Sequence, residues 1–412
     1  MKYLVLGNGV AGINAALTMR ELAHDAEVTV VSSETDFFYS RTANMYIAMG
    51  DMRLEDAEPY ERSFYSHKRI GLARAEIAEI DLQQKHAAAV SGPGFAYDKL
   101  LLAVGSVPAT YGWPGLELEG VVNFLTYQDV VGIAERAERA SRAVVVGGGL
   151  IGIELTEVLM RLGLQVTFLI LEDSYWPNAL SPEEGRWVQK LMQKHGVRLI
   201  MGTGLESVVG SHGRVAGVAT SAGETIDCDL VGIATGVKPN IWLAKKSTID
   251  CERGVLADWT LHTHAPDVYA AGDCVEVETD GDMPNLVRAV WYSARDMGKV
   301  AAKNMLGQNL RYDLGEWYNS AKFFDREYTS VGRFGRLMEG EEDCHYQDER
   351  HSVRIILLSG RIVGFSMIGS RWDHEVLLEF IRTESSLAHF LGHLRQAWFD
   401  PELESLPAMV QQ

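Results

Sequence analysis

The chain opens on a short apolar run, Met1–Leu6, that holds no helix-breaking residue and reads as a strand. Gly7-Asn8-Gly9-Val10-Ala11-Gly12 follows at once, and Ile13–Met19 then has helical character. The same succession returns at Ala143–Val146, Gly147-Gly148-Gly149-Leu150-Ile151-Gly152 and Ile153–Leu162. After each helix comes another strand, Val28–Ser32 in the first cycle and Gln165–Leu171 in the second. Apolar runs at Leu72–Asp81, Tyr97–Val104, Val197–Met201, Gly213–Thr220 and Thr225–Gly232 read as further strands, and Asp267–Ala271 as one ending on Gly272-Asp273. Ser181-Pro182-Glu183-Glu184 combines a cap, a proline at the first helical position and a glutamate three residues after the cap, so a helix runs from there to about His195-Gly196. A longer helix is expected over about Val287–Leu306. From about Asn319 the pattern changes to alternating runs at Tyr328–Val331, Val353–Leu358 and Ile362–Met367, which suggest antiparallel strands. Arg371–Gln396 then reads as helical, and its stripe of Val376, Leu377, Phe380, Ile381, Leu387, Phe390, Leu391 and Leu394 suits packing on a sheet or on a dimer partner. Strands alternating with helices over most of the chain predict an α/β protein.

The glycine runs carry the first chemical signal. In a G-x-G-x-x-G between strand and helix, Gly7 permits the tight turn, Gly9 lets the backbone approach a pyrophosphate, and Gly12 lets helix and strand pack closely. The helix N-terminus adds free N–H groups and the positive end of a dipole. Glu34 and Glu172 each follow the next strand, at the distance at which an acid grips a ribose hydroxyl. Two such motifs, each with a downstream acid, predict two dinucleotide sites. Glu172 would repel a 2′-phosphate, so the second site is expected to take NADH rather than NADPH.

Composition narrows the classes. With 412 residues, 47% of them hydrophobic and 23% charged, an ordinary globular protein of two or three domains is expected. A net charge of −18 argues against nucleic acid and against electrostatic docking to anionic membranes. No apolar run reaches the roughly 18 residues of a membrane span. Cys228, Cys251, Cys274 and Cys344 are far apart and form no C-x-x-C, which suits a reducing compartment such as the cytoplasm and predicts no metal cluster. Phe37-Phe38-Tyr39 beside Arg41 could wall a ring-shaped ligand or form a surface loop. Gly105 and Gly236 end strands and allow a backbone to pass close to a ligand. Asp273, at the end of a buried strand, is placed to receive hydroxyl hydrogen bonds, or else to sit in a turn or cap the next helix. His195 reads as a dipole partner for its helix.

Together these motifs resemble the FAD-dependent pyridine nucleotide–disulfide oxidoreductase superfamily, and within it the branch without a redox disulfide. Ferredoxin and rubredoxin reductases and the flavoprotein part of nitrite reductases belong to that branch. The resemblance implies two Rossmann-like domains, for FAD over 1–112 with 247–318 and for NAD(H) over 113–246, with a C-terminal α+β interface domain over 319–412. It implies that Gly7, Gly9, Val10, Ala11, Gly12, Glu34, Arg41, Ile77, Ala103, Gly105, Gly272 and Asp273 hold FAD. Trp291 matches the pattern W-x-x-A-x-x-x-G-x-x-A-A-x-N, through Ala294, Gly298, Ala301, Ala302 and Asn304, and is expected near the flavin ring. Gly147, Gly149, Leu150, Ile151, Gly152, Glu154, Glu172 and Gly236 are expected to bind NADH. In two places the chain departs from relatives. No cysteine precedes Cys228, so the active-site thiols are absent, and the R-P-P-L-S-K of ferredoxin reductases stands here as Arg41-Thr42-Ala43-Asn44-Met45-Tyr46. The expected activity is hydride transfer from NADH to flavin N5, then electron delivery to a small electron-transfer protein or a partner subunit, from a homodimer. Quinone or dioxygen as acceptor, and a flavoprotein subunit or sensor whose main role is assembly, are the alternatives.

Overall fold

In the computed structural model, which describes residues 1–279 and 284–399, both glycine cycles build a five-stranded parallel sheet. The first sheet runs Val268–Ala270, Lys99–Leu102, Lys2–Leu6, Glu27–Ser32, Ile70–Arg74. The second runs Val121–Val122, Leu230–Ile233, Arg142–Val146, Gln165–Leu169, Arg198–Ile200. In each, the strand before the glycine turn is central, and every pairing is parallel. That topology puts the turn and the following helix at the carboxyl ends of the strands, where α/β sheets bind ligands. Leu4, Val5, Val144 and Val145 are buried, as strands covered on both faces require.

The chain divides into two units, Met1–Ala109 with Leu125–Ala134 and Gly236–Asp313, and the remainder. Residues 125–134, expected in the second domain, thus group with the first unit. The second unit holds the second parallel sheet together with the C-terminal sheet, and residues 400–412 of the expected C-terminal domain lie outside the described residues.

Several single runs prove to be two elements. Leu72–Asp81 splits after Arg74: Ile70–Arg74 joins the parallel sheet, while Ile77–Asp81 starts a small antiparallel sheet with His86–Ala89. Thr225–Gly232 splits in the same way, Thr225–Asp227 pairing with Arg214–Thr220 and Leu230–Ile233 with Arg142–Val146. The long helix begins at Trp291 rather than Val287.

In the second unit, the C-terminal strands run Tyr318–Phe323, Arg326–Gly332, Arg361–Gly369, Ser352–Leu358, Glu341–Gln347, all antiparallel. The predicted helix over Arg371–Gln396 is instead His374–Arg382 and Leu387–His393, each with its own cap from Asp373 or Ser386. Between them Glu384 takes a left-handed φ of 48°, and the Ser385-Ser386 pair favours a cap over helix continuation. All eight stripe residues pack into one core with Val331, Val353, Ile355, Phe365 and Met367 of the sheet. Its opposite face carries a polar cluster: Ser330 pairs with Ser366, and Ser366 with Arg354. Arg354, 2% exposed, meets Glu184 at 3.4 Å, the carbonyl of Gly335 at 2.6 Å, and Asp343. Glu184 also closes the expected capping box with Ser181, so one buried carboxylate serves helix Pro182–Lys194 and the sheet.

Candidate functional site

The two glycine turns share the same close contacts. Gly7 has φ +111°, and a Cβ there would lie 2.1 Å from the carbonyl oxygen of Ala103, so any side chain is excluded. A Cβ on Gly12 would lie 1.9 Å from the oxygen of Gly7. At the second turn Gly147 has φ +119° with Ala234 oxygen 2.3 Å from its would-be Cβ, and Gly152 meets Gly147 oxygen at 2.1 Å. The middle glycines differ: Gly149 has open space around it, and Gly9 has only the Arg41 guanidinium at 3.2 Å. Helices Val10–Leu22 and Leu150–Arg161 begin without a side-chain cap and without an acid in the first turn. Their first N–H groups therefore point to space suited to an anion.

At the first turn lies a cavity of about 400 Å³. Gly7, Gly9, Glu34, Arg41, Ile77, Ala103, Gly105 and Asp273 all line it, although they come from five separate parts of the sequence. Asn8, which the sequence reading passed over, adds a buried Oδ1 with no hydrogen-bond partner among the described residues. Val10, Ala11, Gly12, Gly272 and Trp291 lie outside the lining. Ala11 receives helix Trp291–Met305, where a Cβ on Gly298 would sit 2.2 Å from Ala11 oxygen, and a Cβ on Gly272 would lie 3.0 Å from Ala11 Cβ. Trp291, 36% exposed, opens that helix against Tyr292 and Arg295.

Glu34 is the hub of the cavity's polar end. Its Oε1 accepts from the Tyr39 hydroxyl at 2.6 Å and from the Tyr127 backbone N–H at 2.9 Å, and its Oε2 pairs with Arg41. Gln128 Nε2 donates to the Glu34 carbonyl at 2.7 Å. A carboxylate offers about four acceptor positions, so one remains for a ligand hydroxyl. Burial, then the neighbouring Glu34, raises the Tyr39 phenol far above its ordinary value, so it stays a donor. The Phe37-Phe38 pair is not a ligand wall: Phe38 is buried with Ile13 and Tyr65, and Phe37 meets Tyr65 at a tilt, beneath Arg62. Tyr127 is 93 residues from Glu34, and nothing in the sequence pattern announces that contact.

At the other end, Asp273 accepts from Ser106 Oγ at 3.1 Å. Burial raises its carboxyl above the ordinary range, while the Ser106 bond and Arg41 oppose that rise. A carboxyl held in this way offers acceptor positions to a polyhydroxyl chain.

In the second unit, a Cβ on Gly148 would lie 3.6 Å from Glu172 Oε2, so this carboxylate borders the turn. Leu150 and Ile151 form the first turn of the helix. Tyr175 Oη donates to the Gly149 carbonyl at 3.2 Å. Burial and the nearby Glu157 push the Glu154 carboxyl up to about 7. Gly236, expected at this site, groups with the first unit and has φ +104° with open space at its Cβ position.

Residues 1–298 match the model of the family described as pyridine nucleotide-disulphide oxidoreductase. The chain is 29% identical to a nitrite reductase [NAD(P)H] of Bacillus subtilis over 393 residues, 94% of this chain and 48% of that protein. It thus spans about half the length of that relative. It is 31% identical to the ferredoxin reductase component of a chlorobenzene dioxygenase from a Cupriavidus species, over 74% of each chain. A solved NAD-dependent persulfide reductase from A. fulgidus superposes with a TM-score of 0.82 at 25% identity, covering 99% of this chain and 80% of the other.

Proposed function

We propose, for a chain that belongs to the pyridine nucleotide-disulphide oxidoreductase family, that it holds FAD at the first glycine turn and NADH at the second and delivers electrons to a redox partner protein or subunit. The observation that carries this reading is the pair of uncapped helix N-termini behind matched glycine turns, each bordered by a glutamate.

The residues of the first cavity fit FAD. An unpartnered amide oxygen at Asn8, the Arg41 guanidinium beside Gly9, the spare acceptor position of Glu34 and the half-buried Asp273 form a donor and acceptor set for an elongated, polyhydroxylated diphosphate. The N–H groups after Gly9 would hold the diphosphate, with the Arg41 guanidinium beside them balancing its charge. Glu34 would hold the adenosine ribose, Ile77 the adenine and Asp273 the ribityl hydroxyls. Once bound, FAD supplies acceptance of a hydride from NADH and release of electrons one at a time. Glu172 orients the second nucleotide through its ribose and disfavours a 2′-phosphate.

Two of the chain's four thiols are poorly suited to carry the electrons. All four cysteines are free, and burial pushes the thiols of Cys228 and Cys274 up to about 12, far from the thiolate that disulfide exchange needs. The relatives named for a ferredoxin reductase component and for nitrite reductase support a protein acceptor outside the chain. A flavin domain that includes residues 125–134 and 236–313, a nucleotide domain within 110–124 and 135–235, and a C-terminal domain from Asn319, assembled as a homodimer in the cytoplasm, complete the reading. Among the described residues no helix is long and apolar enough to cross a membrane.

The acceptor is tested by steady-state NADH oxidation with a ferredoxin, a rubredoxin, a quinone or dioxygen supplied in turn. Faster turnover with an iron–sulfur protein supports the reading, and rapid turnover with quinone or dioxygen alone overturns its acceptor.

A further inference from the structure

Among the described residues, Trp242 is the one aromatic side chain that lines the cavity at the first glycine turn. It is 55% exposed, whereas Leu243 and Ala244, which follow it in the short helix Trp242–Lys246, are buried. The segment around it is fixed at both ends. Before the helix, the Asn240 backbone N–H donates to the Gly105 carbonyl at 2.9 Å, and its side-chain amide to the Val104 carbonyl at 3.4 Å. Asn240, Val104 and Gly105 also line the cavity. After the helix, the buried Ser247 Oγ accepts from the Ile80 N–H at 2.9 Å. Ile80 lies on strand Ile77–Asp81, against which the helix packs, and Ile77 opens that strand and lines the cavity. Trp242 and Ile77 thus stand on neighbouring elements of one wall. Lys246 Nζ lies 5.2 Å from the Trp242 ring centroid, over one face. An indole that carries a cation on one face keeps the other for a planar partner.

We propose that Trp242 stacks on the adenine of the bound flavin nucleotide and so makes the cavity select FAD over FMN. The inference rests on the reading of this cavity as the FAD site, and adds to it a residue that grips the face of the base. Ile77, whose strand holds the Trp242 helix, is the residue that reading sets against the adenine. Leu243 and Ile77 are the aliphatic part of the same wall and offer no π-surface. Stacking on an aromatic side chain needs only the face of a base, so it adds affinity without using any hydrogen-bonding edge. It also buries indole surface that the protein's own atoms leave uncovered, while the anchored helix lowers the cost of holding the ring in place. FMN has no adenine and gains nothing from the contact.

The test is calorimetric titration of full-length apoprotein with FAD and, separately, with FMN. The parent is expected to bind FAD more tightly than FMN. Trp242→Ala is expected to weaken FAD by roughly tenfold or more, the scale of one lost base–aromatic stack, and to leave FMN affinity unchanged. Trp242→Phe keeps an aromatic face and is expected to restore most of the FAD affinity. Unchanged FMN affinity reports an intact cavity in both variants, and apoprotein Tm is expected to stay at the parent value because the side chain is more than half exposed. Equal losses for FAD and FMN in Trp242→Ala would overturn the stack, as would FAD affinity that Trp242→Ala leaves unchanged. A parent that binds FAD and FMN equally well would overturn the selection while leaving the cavity a flavin site. A parent that binds neither would overturn the flavin reading and the stack together.

Discussion

The Tyr39 hydroxyl lies 2.6 Å from Glu34 Oε1, holding the carboxylate in the orientation that leaves its remaining acceptor position for a ligand. Tyr39→Phe keeps the ring in its buried place and removes only this bond. A hydrogen bond to a charged group contributes about 1.5 kcal/mol or more, so FAD affinity is expected to fall by roughly tenfold or more. Quenching of FAD fluorescence on titration with apoprotein measures it, and unchanged affinity would remove Tyr39 from the site.

Asp273→Asn separates binding from stability. Because burial raises this carboxyl, the ionised form is disfavoured in the fold, and its cost sets in as pH rises past the ordinary aspartate value. The neutral amide is therefore expected to leave apoprotein Tm at pH 7 unchanged or higher. FAD affinity is expected to fall by about 1.5–3 kcal/mol, the scale of a lost charged hydrogen bond. A lower apoprotein Tm with normal FAD affinity would reverse both assignments.

Glu172→Arg replaces the carboxylate beside Gly148 with a group that pairs with phosphate. The ratio of kcat/KM for NADPH to that for NADH is expected to rise by about tenfold or more. An unchanged ratio would place the ribose elsewhere.

The Asp348 turn gives a pH-dependent prediction. Burial would raise its carboxyl, but bonds from the Arg350 and His351 N–H groups and the His351 ring outweigh it and hold the value at about 2. A depressed carboxylate stabilises the fold above its unfolded value near 3.9, and that contribution is lost as pH falls toward about 2. The carbonyl of Asp348 accepts from the Trp187 indole at 2.7 Å, so tryptophan fluorescence during acid unfolding reports the turn. Asp348→Asn is expected to flatten the stability profile between about pH 4 and pH 2.

Sequence made the two glycine cycles legible because their constraints are local: φ above zero at Gly7 and Gly147, and close carbonyls at Gly12 and Gly152, allow no other residue. The antiparallel C-terminal strands were legible from alternation. Strand ends at Arg74 and Asp227 were not, because an apolar run that leaves one sheet for another keeps its hydropathy. The helix break at Glu384 was hidden because both helices direct their apolar residues to one sheet, which preserves a continuous stripe. Tyr39 and Tyr127 escaped for a different reason: they act on Glu34 through a hydroxyl and a backbone N–H set by tertiary placement, and no residue spacing encodes that.

An anaerobic titration of the purified protein with NADH, followed through its visible absorbance, tests the central claim most directly. Bleaching of a yellow flavin band by one equivalent of NADH per flavin is the predicted result. A flavin band that NADH leaves intact would contradict the account, because the second glycine turn would then not feed the first.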